Sequence, residues 1–329
     1  MYKQIKLSYE HKSFNCYSGS VCYVLSSQGT HISEAMGMGL SAGLGFELAL
    51  EPDFHFRCIR EEHCLTEYLL EMGIRIELLR IPDFTWFINF IHNNIDKEIP
   101  VMVGYDGFYF PFTKSYMKEH ESRIGVITGY YEGGVCFTDL VFNITNYKIP
   151  YDSLEYALFN YSGSDKLINF FWVTYPMEVK KNITKDAVKG AMVSFTESYL
   201  NERGDETLLK GAEGLKTYVK NFSAILPKII AAKDWNSVLV DLKQMALVLK
   251  LYEQFISEAT DLSISPFSKE ASNKLMNSFG EASLHWETMC NALCRYKLTK
   301  KKEEMVLQPL QKFQQDMSII IKILVSELL

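Results

Sequence analysis

The chain has 329 residues, of which 47% are hydrophobic and 22% charged, and its formal net charge is -6. Length and apolar content are enough for two domains with buried cores and exclude a disordered chain. The acidic balance argues against a nucleic-acid binder, and no run of about 18 apolar residues marks a membrane span.

Met1 to Glu10 is polar and lacks the apolar centre of a signal peptide. Seven cysteines at irregular spacing suit a reducing compartment, so a cytoplasmic location is expected. The stretch "NCYSGSVCYVLSSQGTHISEAMGMGLSAGLGFEL" (15–48) holds most of the chemistry-bearing residue types in the first half. Cys16 stands ahead of Val21, Val24 and Leu25, which have helical spacing, and Gly29 is placed to end that helix. A cysteine at a helix start feels the positive end of the macrodipole, which favours thiolate. Cys22 falls mid-helix and reads as packing.

The glycines that follow, Gly37, Gly39, Gly43 and Gly45, do not form a P-loop, since no Lys follows them. Gly37, Gly39 and Ala42 fit a relaxed dinucleotide fingerprint, but "THISEAM" before them is no strand, so that reading fails as well. Close backbone approach, or a floor beneath a substrate, suits them better. Cys58, His63 and Cys64 are three potential zinc ligands, yet no CxxC pair exists anywhere in the chain, and no metal is expected.

"IPVMVGYD" (99–106) predicts a strand entered through Pro100, and "RIGVITGYY" with "VCFTDL" around "EGG" predicts a hairpin over 123–140. "IPYDSLEYALF" (149–159) predicts a turn into a helix capped by Asp152 or Ser153, and "INFFWVTYP" (168–176) a further strand. His120 shortly precedes the first hairpin strand, and Asp139 lies near the end of the second. Taken singly, His120 reads as a surface-loop residue and Asp139 as a turn residue. An antiparallel hairpin brings such positions together, and the order Cys16, His120, Asp139 is that of papain-like enzymes.

Beyond residue 180 the periodicity becomes helical. Val188, Met192, Phe195 and Tyr199 repeat at helical spacing, as do Leu215, Tyr218 and Phe222, then Leu242, Met245, Leu249 and Tyr252, then Val306, Leu310, Phe313 and Met317. Cys290 and Cys294 fall one turn apart on a further predicted helix. No strand is predicted here. The run Lys300, Lys301 and Lys302, followed by Glu303 and Glu304, reads as a solvated helix end.

"NCYSGSVCYVLSSQG", "SEAMGMGLSAGLGFE", "IPVMVGYD", "GVITGYYEGGVCFTDL" and "IPYDSLEYA" resemble the butirosin biosynthesis protein H family of acyltransferases. "GAEGLKTYVKNF", "LKLYEQFISEA" and "LHWETMCNAL" are similar to that family's C-terminal domain. The resemblance implies an α+β fold: a papain-like domain over 1–178 and an all-α helical domain over 179–329. It implies a cysteine acyltransferase of secondary-metabolite biosynthesis that moves an acyl group from the phosphopantetheine thioester of an acyl carrier protein to a small-molecule amine. Cys16 would carry the acyl group, His120 would act as base and then acid, and Asp139 would hold its imidazole. Backbone N–H of Cys16 and Asn15 would stabilise the oxyanion. Ser33, Gly37, Gly39, Gly43 and Gly45 would line the acyl or acceptor pocket. No bound cofactor is expected, and a homodimer is left open.

Two departures stand out. Asn15 replaces a His that commonly precedes the nucleophile, and Arg123 stands where the hairpin histidine is expected. If His120 does not reach in, His11 and His31 are the substitutes, whereas His92 and His285 read as ordinary residues. Hydrolysis by the same triad, as a peptidase or amidase, is the alternative, and a non-catalytic binding protein the third reading.

Overall fold

The computed structural model describes residues 2–5, 13–27, 29–50, 55–59, 69, 74–160, 168–176, 183–205, 207–232, 235–300 and 302–329. His11, His63 and Cys64 lie outside them, as does the domain boundary expected at 178. The chain forms two compact units: Met1–Glu34 with Leu69–Lys180, and Ala35–Tyr68 with Lys181–Leu329. The second unit therefore includes residues 35–68 as well as the helical half of the sequence.

The first unit is built on an antiparallel sheet. Its strands are β1 (Lys3–Gln4), β4 (Ile74–Arg80), β5 (Val101–Asp106), β6 (Ser122–Tyr131), β7 (Gly134–Asp139), β8 (Ile144–Pro150) and β9 (Phe170–Pro176). They lie in the order β4-β9-β5-β6-β7-β8, with β1 also paired to β6. The expected hairpin is β6–β7, closed at Tyr131 opposite Gly134. Gly133 takes φ +87° in its turn, a conformation that costs a side-chain-bearing residue steric strain.

Helix α1 (Cys16–Ser27) packs on β5 and β6. Helix α3 (Phe84–Ile95) is capped by Asp83, whose carboxylate accepts from the Trp86 N–H at 2.8 Å. Its face of Phe87, Ile91 and Ile95 is fully buried in the core cluster that also holds Val103, Phe137 and Phe171. Burial of such side chains contributes roughly 1.5–3 kcal/mol each. Helix α4 (Tyr151–Phe159) starts directly after Pro150, without the side-chain cap expected from Asp152 or Ser153. The fixed φ of Pro150 already sets the turn, and Asp152 sits in the first turn, where the helix dipole favours a negative charge.

The second unit combines helices with a small sheet. Helix α2 (Glu34–Leu40) leads through a turn into β2 (Leu44–Ala49) and then β3 (His55–Ile59). β2 also pairs with β10 (Leu208–Lys210), so the half of the chain with helical periodicity contributes a strand to this sheet. Three residues are too few to register as a strand pattern, and the pairing partner lies far away in sequence. The helices are α5 (Lys185–Asn201), α6 (Gly211–Lys220), α7 (Phe222–Ile230), α8 (Trp235–Asp261), α9 (Lys269–Thr299) and α10 (Glu304–Leu328). Trp286 of α9 is the centre of this core: it stacks on Phe56 at 5.2 Å, meets Phe313 at 4.7 Å and donates its indole N–H to Leu242 O. Among the described residues no helix is long and apolar enough to cross a membrane.

Candidate active site

Cys16 is the first residue of α1 and is partly exposed. The turn that presents it is built from two side chains. Asn15 caps the helix, its Oδ1 accepting from the N–H groups of Tyr17 at 2.8 Å and Ser18 at 3.2 Å. Glu34, only 5% exposed, accepts from the N–H of Phe14 at 2.8 Å, the N–H of Asn15 at 2.8 Å and the Ser18 hydroxyl at 2.6 Å. Burial raises its carboxyl above the ordinary range, against the opposing pull of those three hydrogen bonds. One helix turn on, a Cβ at Gly19 would stand 2.2 Å from Ser13 Oγ, so glycine there lets the chain before Asn15 lie close against α1. Since the Asn15 carbonyl oxygen caps the helix, any oxyanion role for this side chain falls to its Nδ2.

His120 precedes β6 and is about one-third exposed. Its Nδ1 lies 2.5 Å from Asp106 Oδ2, and its ring stacks on Phe108 at 4.5 Å. Asp106 is fully buried at the end of β5, and its other oxygen accepts from the N–H groups of Phe108 at 3.0 Å and Glu121 at 3.2 Å. A carboxylate on Nδ1 fixes the Nδ1–H tautomer of a neutral imidazole and leaves Nε2 as its basic nitrogen. The carboxylate that holds His120 is thus Asp106, whereas the sequence pattern pointed to Asp139.

Asp139 has other partners. Its Oδ2 accepts from the Tyr105 hydroxyl at 2.6 Å and from Arg123 Nε at 3.3 Å, and its Oδ1 takes the N–H groups of Val141 and Phe142 at 2.9 and 3.2 Å. Arg123 occupies the strand-start position expected for a histidine, so Arg123–Asp139 stands where a His–Asp pair was anticipated. Arg123 further donates Nη1 to Glu121 at 3.0 Å and lies over the Phe142 ring at 4.1 Å, while its buried Nη2 has no hydrogen-bond partner among the described residues. Burial opposes its charge, but Tyr105, Asp139, Cys16 and Glu121 outweigh burial and hold the guanidinium firmly protonated. Burial and the Asp139 charge push the Tyr105 hydroxyl well above its ordinary range, so it remains a donor.

The remaining predicted residues have mostly packing roles. Ser33 O accepts from the Cys22 thiol at 3.6 Å. Gly37 and Gly39 lie in α2, Gly43 in the turn after it, and Gly45 in β2. A Cβ on Gly39 would lie 2.1 Å from the Phe255 ring, and one on Gly43 would lie 2.8 Å from the Met38 sulfur, so close approach explains both. His31 contacts Ser26 at 3.1 Å, His92 contacts Tyr151 at 2.9 Å, and His285 contacts Asp316 at 2.6 Å. Cys58 is buried in β3. Sequence reasoning missed Glu34 and Asp106. The only signal for either is its position in a segment quoted above: Asp106 closes "IPVMVGYD" and Glu34 is the second residue of "SEAMGMGLSAGLGFE".

Residues 15–139 match the family model described as "Butirosin biosynthesis protein H, N-terminal". Cys16, Glu34, Asp106, His120, Arg123 and Asp139 all fall inside that span. No curated protein matches the chain.

Proposed function

We propose that this protein, similar over residues 15–139 to the N-terminal domain of butirosin biosynthesis protein H, is a cysteine acyltransferase of secondary-metabolite biosynthesis. Its donor is an acyl group held as a phosphopantetheine thioester on a carrier protein, and its acceptor is a small-molecule amine. The observation that carries this reading is the orientation of His120 by buried Asp106, in a span that also holds a helix-start cysteine. The arrangement follows papain-like logic, with Asp106 taking the part first given to Asp139.

The Cys16 thiolate attacks the thioester carbonyl and the pantetheine thiolate leaves, so the acyl group rests on Cys16. His120 Nε2 then takes a proton from the incoming amine as it attacks the acyl-cysteine, and the C–Sγ bond breaks to return the Cys16 thiolate. Asp106 holds the imidazole and stabilises the imidazolium that results. A backbone N–H at the start of α1 and Asn15 Nδ2 are the donors for the oxyanion.

Intact-mass spectrometry after incubation with acylated carrier protein tests the reading. The expected result is an acyl adduct on the wild type that is absent from Cys16→Ala and that an amine discharges slowly on His120→Ala. Absence of an adduct with a varied set of acyl groups overturns it, and rapid discharge by water alone favours a hydrolase.

A further inference from the structure

Arg123 is held by four contacts, and one of its donor nitrogens has no partner among the described residues. Nε is bound to Asp139 at 3.3 Å, Nη1 to Glu121 at 3.0 Å, and the guanidinium plane lies over Phe142 at 4.1 Å. Gly107 packs beside its aliphatic stem, where a Cβ would come within 3.3 Å of Cδ. The residue is 9% exposed, yet Nη2 has no hydrogen-bond partner among the described residues. Buried donors are nearly always satisfied, so this one calls for a ligand or a transient negative charge. The start of α1 is tied to the same end of the sheet: the Ser13 N–H donates to Leu140 O, next to Asp139, at 3.2 Å. The Cys16 charge is also felt at Arg123.

We propose that Arg123 is the permanent counter-charge of the Cys16 thiolate, with Nη2 available to the oxyanion, and that it confines the acyl donor to thioesters. The donor-restriction half of this rests on the acyl-transfer reading above.

The chemistry follows from what a guanidinium cannot do. An imidazolium beside a thiolate gives up its proton to the leaving group, whereas arginine does not deprotonate in proteins. When Cys16 attacks, its Sγ–C bond forms and the carbonyl pair moves to oxygen. Collapse returns that pair and breaks the donor's C–S bond, and the electrons leave on sulfur as a thiolate. A thiolate is a competent leaving group because its conjugate thiol has a pKa of about 8.5, and it takes its proton from water afterwards. An amide would have to expel an amide anion or be protonated first, and Arg123 supplies no proton. His120, paired with Asp106, serves the second half-reaction, in which the acceptor amine must lose a proton. Other ionisable groups among the described residues around this end of the sheet include Tyr105 and Asp106 from β5, Asp139 from β7, Glu121 beside Arg123, and Glu34 beneath the helix start. Among these described residues Arg123 is the one permanent cation.

The test uses full-length protein and two readouts. In the first, iodoacetamide alkylation of Cys16 is followed by mass spectrometry from about pH 5 to about pH 9, a range that spans the ordinary thiol and imidazole titrations. The wild type should stay reactive well below the ordinary thiol range. Arg123→Gln should lose at least tenfold at the acidic end, and Arg123→Lys, which keeps the charge, should recover most of it. A purely structural role would not separate Lys from Gln. A wild-type profile centred at the ordinary thiol range overturns the counter-charge without need of any variant. So does a folded Arg123→Gln with an unshifted profile.

In the second readout, wild type is offered one acyl group as a pantetheine thioester and as the matching amide. Acylation of Cys16 by the thioester alone is expected, and equal acylation by the amide overturns the donor restriction. If neither acylates but the alkylation profile holds, the acyl-transfer reading and the donor restriction fail together, and the counter-charge stands.

Discussion

Asp106 holds His120 through one oxygen and the loop beside it through the other: Oδ2 lies 2.5 Å from His120 Nδ1, while Oδ1 accepts from the Phe108 and Glu121 N–H groups. The carboxylate is fully buried, and the backbone it binds flanks the histidine it orients. Its position is therefore set by the end of β5 and not by a mobile side chain. Such a pairing fixes both ring orientation and tautomer.

Asp106→Asn is expected to slow discharge of the acyl-cysteine to an amine by a factor on the order of 10²–10⁴. An asparagine that keeps Oδ1 on the two backbone N–H groups turns its NH2 toward His120 Nδ1. The imidazole then carries its proton on Nε2 and is no longer a base there. Single-turnover measurement of adduct decay on Asp106→Asn reads this directly. Decay at the wild-type rate would remove Asp106 from the mechanism.

Asp139→Ala should act on stability. The substitution leaves the Tyr105 hydroxyl and the Arg123 Nε without their shared buried acceptor. Breaking a buried charge pair in this way typically costs about 3–5 kcal/mol. Urea unfolding monitored by tryptophan fluorescence should show the midpoint fall. A midpoint equal to that of the wild type would mean that the Arg123–Asp139 pair adds nothing to the fold.

Strands β5, β6, β7 and β9 of the first unit were legible because "IPVMVGYD", the two arms around "EGG" and "INFFWVTYP" are short apolar runs bounded by turn residues. Helical periodicity likewise marked α5, α6, α8 and α10 through residues such as Phe195, Tyr218, Tyr252 and Phe313, whereas Phe222, read in the same repeat as Tyr218, begins the separate helix α7. Strands β1, β4 and β8 were not predicted, and three further features were not legible. β10 is too short to show a period, and the incorporation of residues 35–68 into the second unit depends on pairing with a strand distant in sequence. The partner of His120 depends on which strand end lies beside the loop. Sequence order favours the hairpin carboxylate Asp139, whereas the sheet lays β5 alongside β6 and brings Asp106 to Ser122 in register. With Arg123 already occupying Asp139, only the three-dimensional pairing identifies the acid that orients the histidine.

Gly39 provides a test of the second unit. A Cβ there would lie 2.1 Å from the Phe255 ring, closer than any real contact, and the ring is itself buried. Gly39→Ala should therefore destabilise the protein by roughly 1–3 kcal/mol through overpacking. The double variant Gly39→Ala with Phe255→Leu should recover part of that loss, since the two sites share one space. Thermal unfolding of the four species closes the cycle. Strict additivity would show that the two residues do not meet.

Glu34 is the place to look for a pH dependence of stability. Its carboxyl is raised above the ordinary range by burial, so the folded state binds its proton more tightly than the unfolded state does. By linkage, this contribution is fully present below the unfolded carboxyl's range and is lost as pH rises through the folded value. Glu34→Gln removes the titration and also turns an NH2 toward a backbone N–H that a carboxylate oxygen now accepts. It should cost about 1–3 kcal/mol where its acceptor role is lost. The stability gap between wild type and Glu34→Gln should be widest in acid and narrow toward neutral pH. Urea titrations from about pH 4 to about pH 7, bracketing the ordinary carboxyl range and what lies above it, measure the gap. A gap that widens with pH would mean that the three donors on Glu34 outweigh its burial and that the carboxyl is lowered instead.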